Sequence, residues 1–481
     1  MKIEHGKPAV KITDKTFNME EHYYNKVLHA QIHQLVKFFM NMDKKRIVER
    51  FCHLNPIVNR EELIKWLNYK PKYIQWSGTD LFHVTTEKGE KRMVVIETNS
   101  SPSGQKSMPL LNDNEEMGGY KRLIERSFLP FIKEKRAIQG DYAVLYDKNE
   151  MEATGYAIAL AQLVQEDVYL VPFFNEDHAA SVRFNNEVMQ VRDENENWHD
   201  IKAAYRYVTQ KPWNRIPIKT KTILYNPIIA CLAGGRNKRL ASKAYDIFNA
   251  ELKSVNLKIR TPETINDVKL KEIPLWLERF GGQAVVKNPY SNAGQGVYTI
   301  TSQSELDAFM AEEHDYNDFI IQSLVGNYNW STTSSDGKYY HVGMIPNKKS
   351  EIYVADLRFM IASTRDGFAP MALYARRAEE PLKDELEAFE DSWKMLGTNL
   401  SVKTIDGWDS EIRRLKLMDN KDFNQLGLSL DSLIEAYIQS VLSTIAIDKM
   451  ANQLIGRKKN LKLKLFNAIN GDQILMDEIM K

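Results

Sequence analysis

Cysteine is nearly missing from this chain of 481 residues: only Cys52 and Cys231 occur, far apart and without metal-ligand spacing. That excludes a disulfide framework and a cysteine-based zinc site, and a reducing compartment is expected. Charge of one sign is missing too. Lys and Arg total 65 against 64 Asp and Glu, so net charge gives no reason to expect a nucleic-acid or acidic-membrane partner. No Walker-type G-x-x-x-x-G-K-S/T loop and no strand-GxGxxG-helix unit is present, which removes the two commonest nucleotide-binding turns. The opening MKIEHGKPAV lacks the apolar core of a signal peptide, and no apolar run reads as long enough to span a bilayer. The expectation is a soluble, cytoplasmic protein of two or three lobes, because the length exceeds a single core.

What is present alternates between helical and strand periodicity. Residues 17–70 read as helical, with Val27, Ile32, Leu35, Val36, Phe38, Phe39 and Met40 at helical spacing. His22, His29 and His33 fall at a spacing that would share one helix face, but no third ligand accompanies them, and packing or surface roles fit better. Tyr73 to Val84 and Met93 to Thr98 read as strands joined by a polar turn at 87–90. A helix is expected near 114–135. Strand 142–146, a helix near 152–165 and strand 168–171 then give a β-α-β pattern, and an open α/β unit running to about 225. Further on come a helix containing Lys238, a helix at 265–280, a strand from Gln283 to Lys287, and strand-rich residues 351–376. Leu433, Ile434, Tyr437, Ile438, Val441, Leu442 and Ile445 predict an amphipathic helix packed on its own domain. Arg457-Lys458-Lys459 with Lys462 and Lys464 reads as a solvated helix face.

Two segments carry chemistry. In Val95-Ile96-Glu97-Thr98-Asn99-Ser100-Ser101-Pro102-Ser103-Gly104 a β-branched pair enters Glu-x-Asn, and strand alternation sets both oxygen side chains on one face. A carboxylate beside an amide oxygen suits Mg²⁺, a hard cation that usually keeps phosphate as a further ligand. By itself the segment is equally a surface strand ending in a turn. In Val285-Val286-Lys287-Asn288-Pro289-Tyr290-Ser291-Asn292-Ala293-Gly294-Gln295-Gly296-Val297 a strand ends in lysine and a small-residue loop follows. Gly294 and Gly296 would let backbone N–H groups close over phosphate oxygens, with Lys287 adding a point charge. Alone, that loop fits a plain hairpin as well.

The order of the remaining fragments is more specific than any one of them. Asn226-Pro227-Ile228, Asn237-Lys238, Pro262-Glu263-Thr264, Lys287 with its glycines, Gln322, Asp356-Leu357-Arg358, Arg376-Arg377 and Asn399 follow one another. This series resembles the ATP-grasp superfamily, most closely the ribosomal-protein glutamate ligase and glutathione synthetase-like branch. In that branch the closing motif, Gly-x-Asp-Leu and then Glu-x-Asn-Ser-Ser-Pro, follows Asn399. Here it stands at Gly78-Thr79-Asp80-Leu81 and Glu97 to Pro102, so the chain resembles a circularly permuted ATP-grasp, as in the motif order of glutathionylspermidine synthases. Ser323 departs from the hinge Glu of many relatives, and residues 326–353 form an extra stretch.

The resemblance implies an α/β (α+β) fold with a Rossmann-like pre-ATP-grasp domain and helical terminal extensions. Its division of the chain would be a helical region 1–72, the permuted metal-binding strand pair 73–112, a pre-ATP-grasp α/β domain 113–225, and a nucleotide-binding subdomain 226–325. The insertion 326–353, the remainder of the ATP-grasp core 354–420 and a helical region 421–481 complete it. It also implies ATP and Mg²⁺. Asp80, Glu97 and Asn99 would hold the metal, and Lys238, Lys287, Gly294, Gly296, Gln322, Leu324, Asp356 and Asn399 would bind nucleotide. Arg358 and Arg377, with Lys287, would be catalytic. The activity implied is ATP-dependent joining of a carboxylate, on a small molecule or peptide, to an amine acceptor through an acyl phosphate. A kinase outcome and a silent nucleotide-binding module are the other readings. Arg206 is expected to help bind the carboxylate substrate. Trp330, Tyr339, Tyr340 and His341 of the insertion either line the acceptor site or build a structural hairpin. Neither a nucleic-acid nor a membrane partner is implied, and a homo-oligomer is left open.

Overall fold

A computed structural model describes residues 7–13, 16–174, 181–290, 296–386, 391–404 and 407–480. It is a mixed α/β protein built on three main sheets. The first has a parallel core. Strand Asp141–Tyr146 lies between Val168–Pro172 and Trp198–Tyr207, and Ile223–Tyr225 pairs parallel to the last of these. Helix Glu150–Val164 makes the crossover, as the β-α-β pattern predicts. Strand Val10–Ile12 joins this sheet antiparallel to Val168–Pro172, so the N-terminal region is not wholly helical.

The second sheet has four antiparallel strands: Thr264–Lys269, Asp318–Ser323, Ala284–Lys287 and Val297–Ile300. Its first strand replaces the front of the helix expected at 265–280, and the helix is confined to Ile273–Arg279. A register shift between Ile265 and Val268 hides the strand's alternation in sequence.

The third sheet carries the chemistry. Hairpin Trp76–Thr86 and Lys91–Ser100 pairs through its first strand with Ala355–Thr364, which pairs in turn with Gly367–Arg377. Beyond Phe82, where that pairing ends, Tyr339–His341 of the 326–353 stretch takes over the edge.

Helix Leu430–Leu454 runs through the middle of the molecule and is buried on nearly every side. Amphipathicity is the wrong description: the hairpin, helix Lys238–Leu252 and the N-terminal helices all pack on it. By length and composition it would pass as a membrane span, contrary to the sequence reading, but 89% of its apolar window is buried inside the protein. Its Asp448 accepts the backbone N–H groups of Lys72, Tyr73 and Ile74 and the Tyr69 hydroxyl, fixing the entry to the hairpin. The N-terminal helices and this helix share one hydrophobic core with the first and third sheets and are not separate appendages, while the second sheet has a core of its own.

Several local expectations change. Residues 17–70 break into short helices: His22 ends one, His29 caps the next and His33 opens a third, so the three share no face. Arg457, Lys458 and Lys459 sit in the exposed turn after Leu454, not on a helix. Arg206 is fully buried and donates to the carbonyls of Asn226 and Val208 and to Ser101 Oγ, 3.3 Å away. It braces strand ends and does not line the large cavity between the three sheets.

Candidate active site

Four residues form one row across the third sheet. Glu97 stands opposite Asp80, Asp80 opposite Arg358, and Arg358 opposite Tyr374. Directly opposed side chains on one sheet face lie within contact distance. Arg358 uses this with a bidentate grip on Asp80, both N–H···O distances being 2.6 Å. The neighbouring row adds Asp356 opposite Arg376. Arg376 bonds Asp356 (Nε to Oδ1, 3.0 Å) and reaches Asp80 Oδ2 at 3.0 Å. Burial would raise the Asp80 carboxyl, but the two guanidiniums outweigh it and hold the carboxyl at about 2. Two residues along from Glu97, Asn99 is buried, and its Nδ2 has no hydrogen-bond partner.

Two lysines face this row. Lys238 is the first residue of helix Lys238–Leu252, whose Asn237 cap accepts the Leu240 N–H. Its Nζ is 3.5 Å from Glu97 Oε1, and its backbone N–H donates to Pro289 O at 2.8 Å. That second bond ties the helix start to the loop leaving Lys287. Lys287 closes strand Ala284–Lys287 and is 6% exposed. Burial drives its ammonium down to about 8, with Lys238 adding to the effect and Glu97 opposing it. Glu97 is pushed up by burial but held below its ordinary value by Lys238, Arg236 and Lys287.

These groups line one cavity of about 840 Å³ between the three sheets. Asp80, Glu97, Asn99, Lys238, Lys287, Gln322, Leu324, Asp356, Arg358 and Asn399 all reach it. At one end Val285, Leu324, Val325 and Leu396 give apolar walls beside Gln322, whose amide is held by Thr264 Oγ1 at 2.7 Å. At the other, Ser103, Lys106, Lys148 and Tyr374 close the space. Gly104 is needed there, since a Cβ would come within 2.8 Å of the Tyr374 ring and 2.5 Å of Met360 Sδ.

Three expectations come out differently. Gly294 lies outside the described residues. Gly296 is described, with φ +61°, and its carbonyl accepts the Asn288 N–H at 2.7 Å. Arg377 points to the opposite sheet face from Arg376, stacks on Tyr353 and donates to the carbonyls of Ala378 and Glu379. It does not line the cavity. Of the insertion's aromatics only His341 does; Trp330 packs with Leu324, Val354, Ala378 and Met395. The cavity also holds groups that sequence did not single out: Arg236, Lys106, Lys148 and Tyr374. For Arg376 the signal was available, because strand alternation from Tyr374 puts 376, not 377, on the Arg358 face.

The lining has eight Lys and Arg side chains against four Asp and Glu, so the cavity selects an anion. Among the described residues no group of three His, Cys, Asp or Glu could hold a metal by itself. Asp80, Glu97 and Asn99 are hard oxygen donors, and the unpartnered Nδ2 of Asn99 is a buried N–H group free to donate to an acceptor such as a phosphate oxygen. The set fits Mg²⁺ shared with a bound polyphosphate.

No protein-family model and no curated protein matches the chain. Solved structures do. The chain is similar to a glutathione synthetase-like effector of Globodera pallida in its apo form, at 9% identity over 77% of this chain and 87% of that one, with a TM-score of 0.38. It is similar to a RimK-domain ATP-grasp protein of Sphaerobacter thermophilus at 12% identity over 48% and 90%, TM-score 0.29. A D-alanyl-alanine synthetase A of Vibrio cholerae aligns at 11% identity over 49% and 89%, TM-score 0.31.

Proposed function

We propose that the chain is an ATP-dependent carboxylate–amine ligase with a circularly permuted ATP-grasp core. The observation that carries this reading is the row Glu97–Asp80–Arg358 facing Lys238 and Lys287 across a single, positively lined cavity. ATP is read as a substrate with its base against Val285, Leu324 and Leu396 and its phosphates toward the lysines. Asp80, Glu97 and Asn99 would hold one or two Mg²⁺, which when bound neutralise charge between neighbouring phosphate oxygens.

The side chains then divide the work. Lys238 and Lys287 grip phosphate oxygens, and Lys287 at about 8 is mostly protonated near neutral pH. Arg358 and Arg376, whose Nε–Nη2 edges are held by Asp80 and Asp356, would offer their Nη1 donors to the transferring phosphoryl group and to the substrate carboxylate, and Arg376 rather than Arg377 acts beside Arg358. A carboxylate oxygen attacks the γ-phosphorus and ADP leaves. The amine attacks the acyl carbon of the resulting acyl phosphate, phosphate departs with that oxygen, and the amine loses a proton. Enclosure keeps water from the acyl phosphate.

Carboxylate labelled with ¹⁸O tests this reading. One label should move to the released phosphate for each amide formed. A stable phosphorylated product without an amine requirement would replace the ligase with a kinase.

A further inference from the structure

The end of the cavity away from Lys287 contains two lysines that the reaction does not use. Lys106 is only 7% exposed; its Nζ donates to Asn149 Oδ1 at 3.1 Å and lies 4.9 Å from the Tyr24 ring centroid. Lys148 Nζ lies 4.9 Å from the Tyr207 ring and donates to the Ser101 carbonyl at 3.4 Å. Among the described residues no carboxylate forms an ion pair with either. A cation over an aromatic ring recovers only part of the cost of leaving water.

The nearby acids are not available to them. Asp147 accepts the backbone N–H groups of Thr209 and Gln210 and pairs with Arg215 at 3.2 Å. Glu152 accepts from Ser103 Oγ, the N–H groups of Gly104 and Gln105, and the Tyr207 hydroxyl. Both acids are therefore engaged elsewhere, and both lysines line the cavity. Burial and the neighbouring Arg236 push the Lys148 ammonium well below its ordinary value, and a bound anion would oppose that shift.

The corner is also connected to the reacting centre. Arg358 Nη1 lies 3.2 Å from the Tyr374 hydroxyl, which donates to the Ser103 carbonyl at 3.2 Å. Ser103 Oγ accepts from Asn149 Nδ2 at 3.0 Å, and Asn149 holds Lys106. Arg358, Lys106, Asn149 and Lys148 thus line the same cavity, and Arg358 and Lys106 share one chain of hydrogen bonds.

We propose that Lys106 and Lys148 form a second anion pocket that binds a distal acidic group of the carboxylate substrate, so that the substrate is a diacid. The distal group is a carboxylate or a phosphate-type anion. This rests on the ligase reading for which end reacts, but the pocket can be tested without turnover.

The test is calorimetric binding of succinate, glutarate, adipate and 4-phosphonobutyrate against butyrate, pentanoate and hexanoate, with the full chain and a non-hydrolysable ATP analogue with Mg²⁺. At least one diacid should bind about ten- to hundredfold tighter than its monoacid, the range of one charge-assisted hydrogen bond. Lys106→Met and Lys148→Met should each erase most of that preference, and Lys106→Arg should keep it. Thermal melting of each variant identifies any that fails to fold, in which case the other lysine decides. The phosphonate against glutarate, which has the same three methylenes, separates the two anion types. Equal binding of monoacids and diacids, or a diacid preference that survives both methionine variants, overturns the proposal. A diacid preference without ADP release in turnover assays would leave the pocket standing and remove the ligase reading instead.

Discussion

Arg358 meets Asp80 through two parallel hydrogen bonds of 2.6 Å, formed between neighbouring strands from sequence positions 278 residues apart. The hairpin that carries Asp80 is thereby locked to the strand that carries the arginine. A carboxylate engaged by two guanidiniums also stays ionised although buried, ready to share its oxygens with a cation. The geometry gives Asp80 a structural role beside the metal-binding one proposed for it.

Asp80→Asn should therefore cost stability as well as activity. It leaves Arg358 buried without its carboxylate, a change expected to lower unfolding free energy by about 3–5 kcal/mol. Urea denaturation monitored by fluorescence measures it. Glu97→Gln, whose carboxylate has its nearest cation at 3.5 Å, should unfold close to wild type.

The two adjacent arginines should separate sharply. Arg376→Met is expected to lower turnover by about 10²–10³, the scale of losing one donor aimed at developing charge. Arg377→Met, on the other sheet face over Tyr353, should stay within a few-fold. ADP release at saturating ATP reads both.

Acid should destabilise the fold in a definite window. Burial pushes the His83 imidazole down to about 4 and His341 down to about 3. A base whose folded pKa is lowered binds its proton more readily when unfolded. Its contribution is thus complete above the unfolded value near 6.5 and is lost as pH falls toward the folded value. Each histidine should cost on the order of 3 kcal/mol across that fall. Melting temperature should drop between pH 6.5 and 4, and His83→Gln should shallow the drop. Asp80 acts only lower, between its unfolded value near 3.9 and about 2.

Much of this site was legible before folding, for a physical reason. Glu97 and Asn99 share a face because strand side chains alternate, and Asp80 falls opposite Glu97 once the turn at 87–90 pairs the two strands. Lys287 and Lys238 stand at element boundaries that glycine, proline and an Asn cap mark in sequence. What was missed depends on register or on enclosure. Choosing Arg377 over Arg376 is a one-residue slip, which turns a side chain to the opposite face. The strand at 264–269 was hidden by its bulge. Helix Leu430–Leu454 read as amphipathic because its inward Ser440, Ser443 and Thr444 look polar. In the fold, Thr444 meets Ser77 Oγ at 2.6 Å and Ser443 meets Thr98 Oγ1 at 2.9 Å, so small polar groups satisfy one another in the interior. Lys106, in the short 3-10 turn Gln105–Ser107, and Lys148, in a loop, are brought together only by tertiary contact, which no local pattern announces.

The central claim is that the hairpin at the front of the chain completes a nucleotide–metal site with Lys238 and Lys287. Binding of Mn²⁺ with ATP, followed by electron paramagnetic resonance in wild type and in Glu97→Ala, tests it most directly. The account predicts one or two tightly held ions in wild type only when ATP is present, and a loss of at least tenfold in that affinity for Glu97→Ala while the fold still melts cooperatively. Ion binding in Glu97→Ala equal to wild type would contradict it.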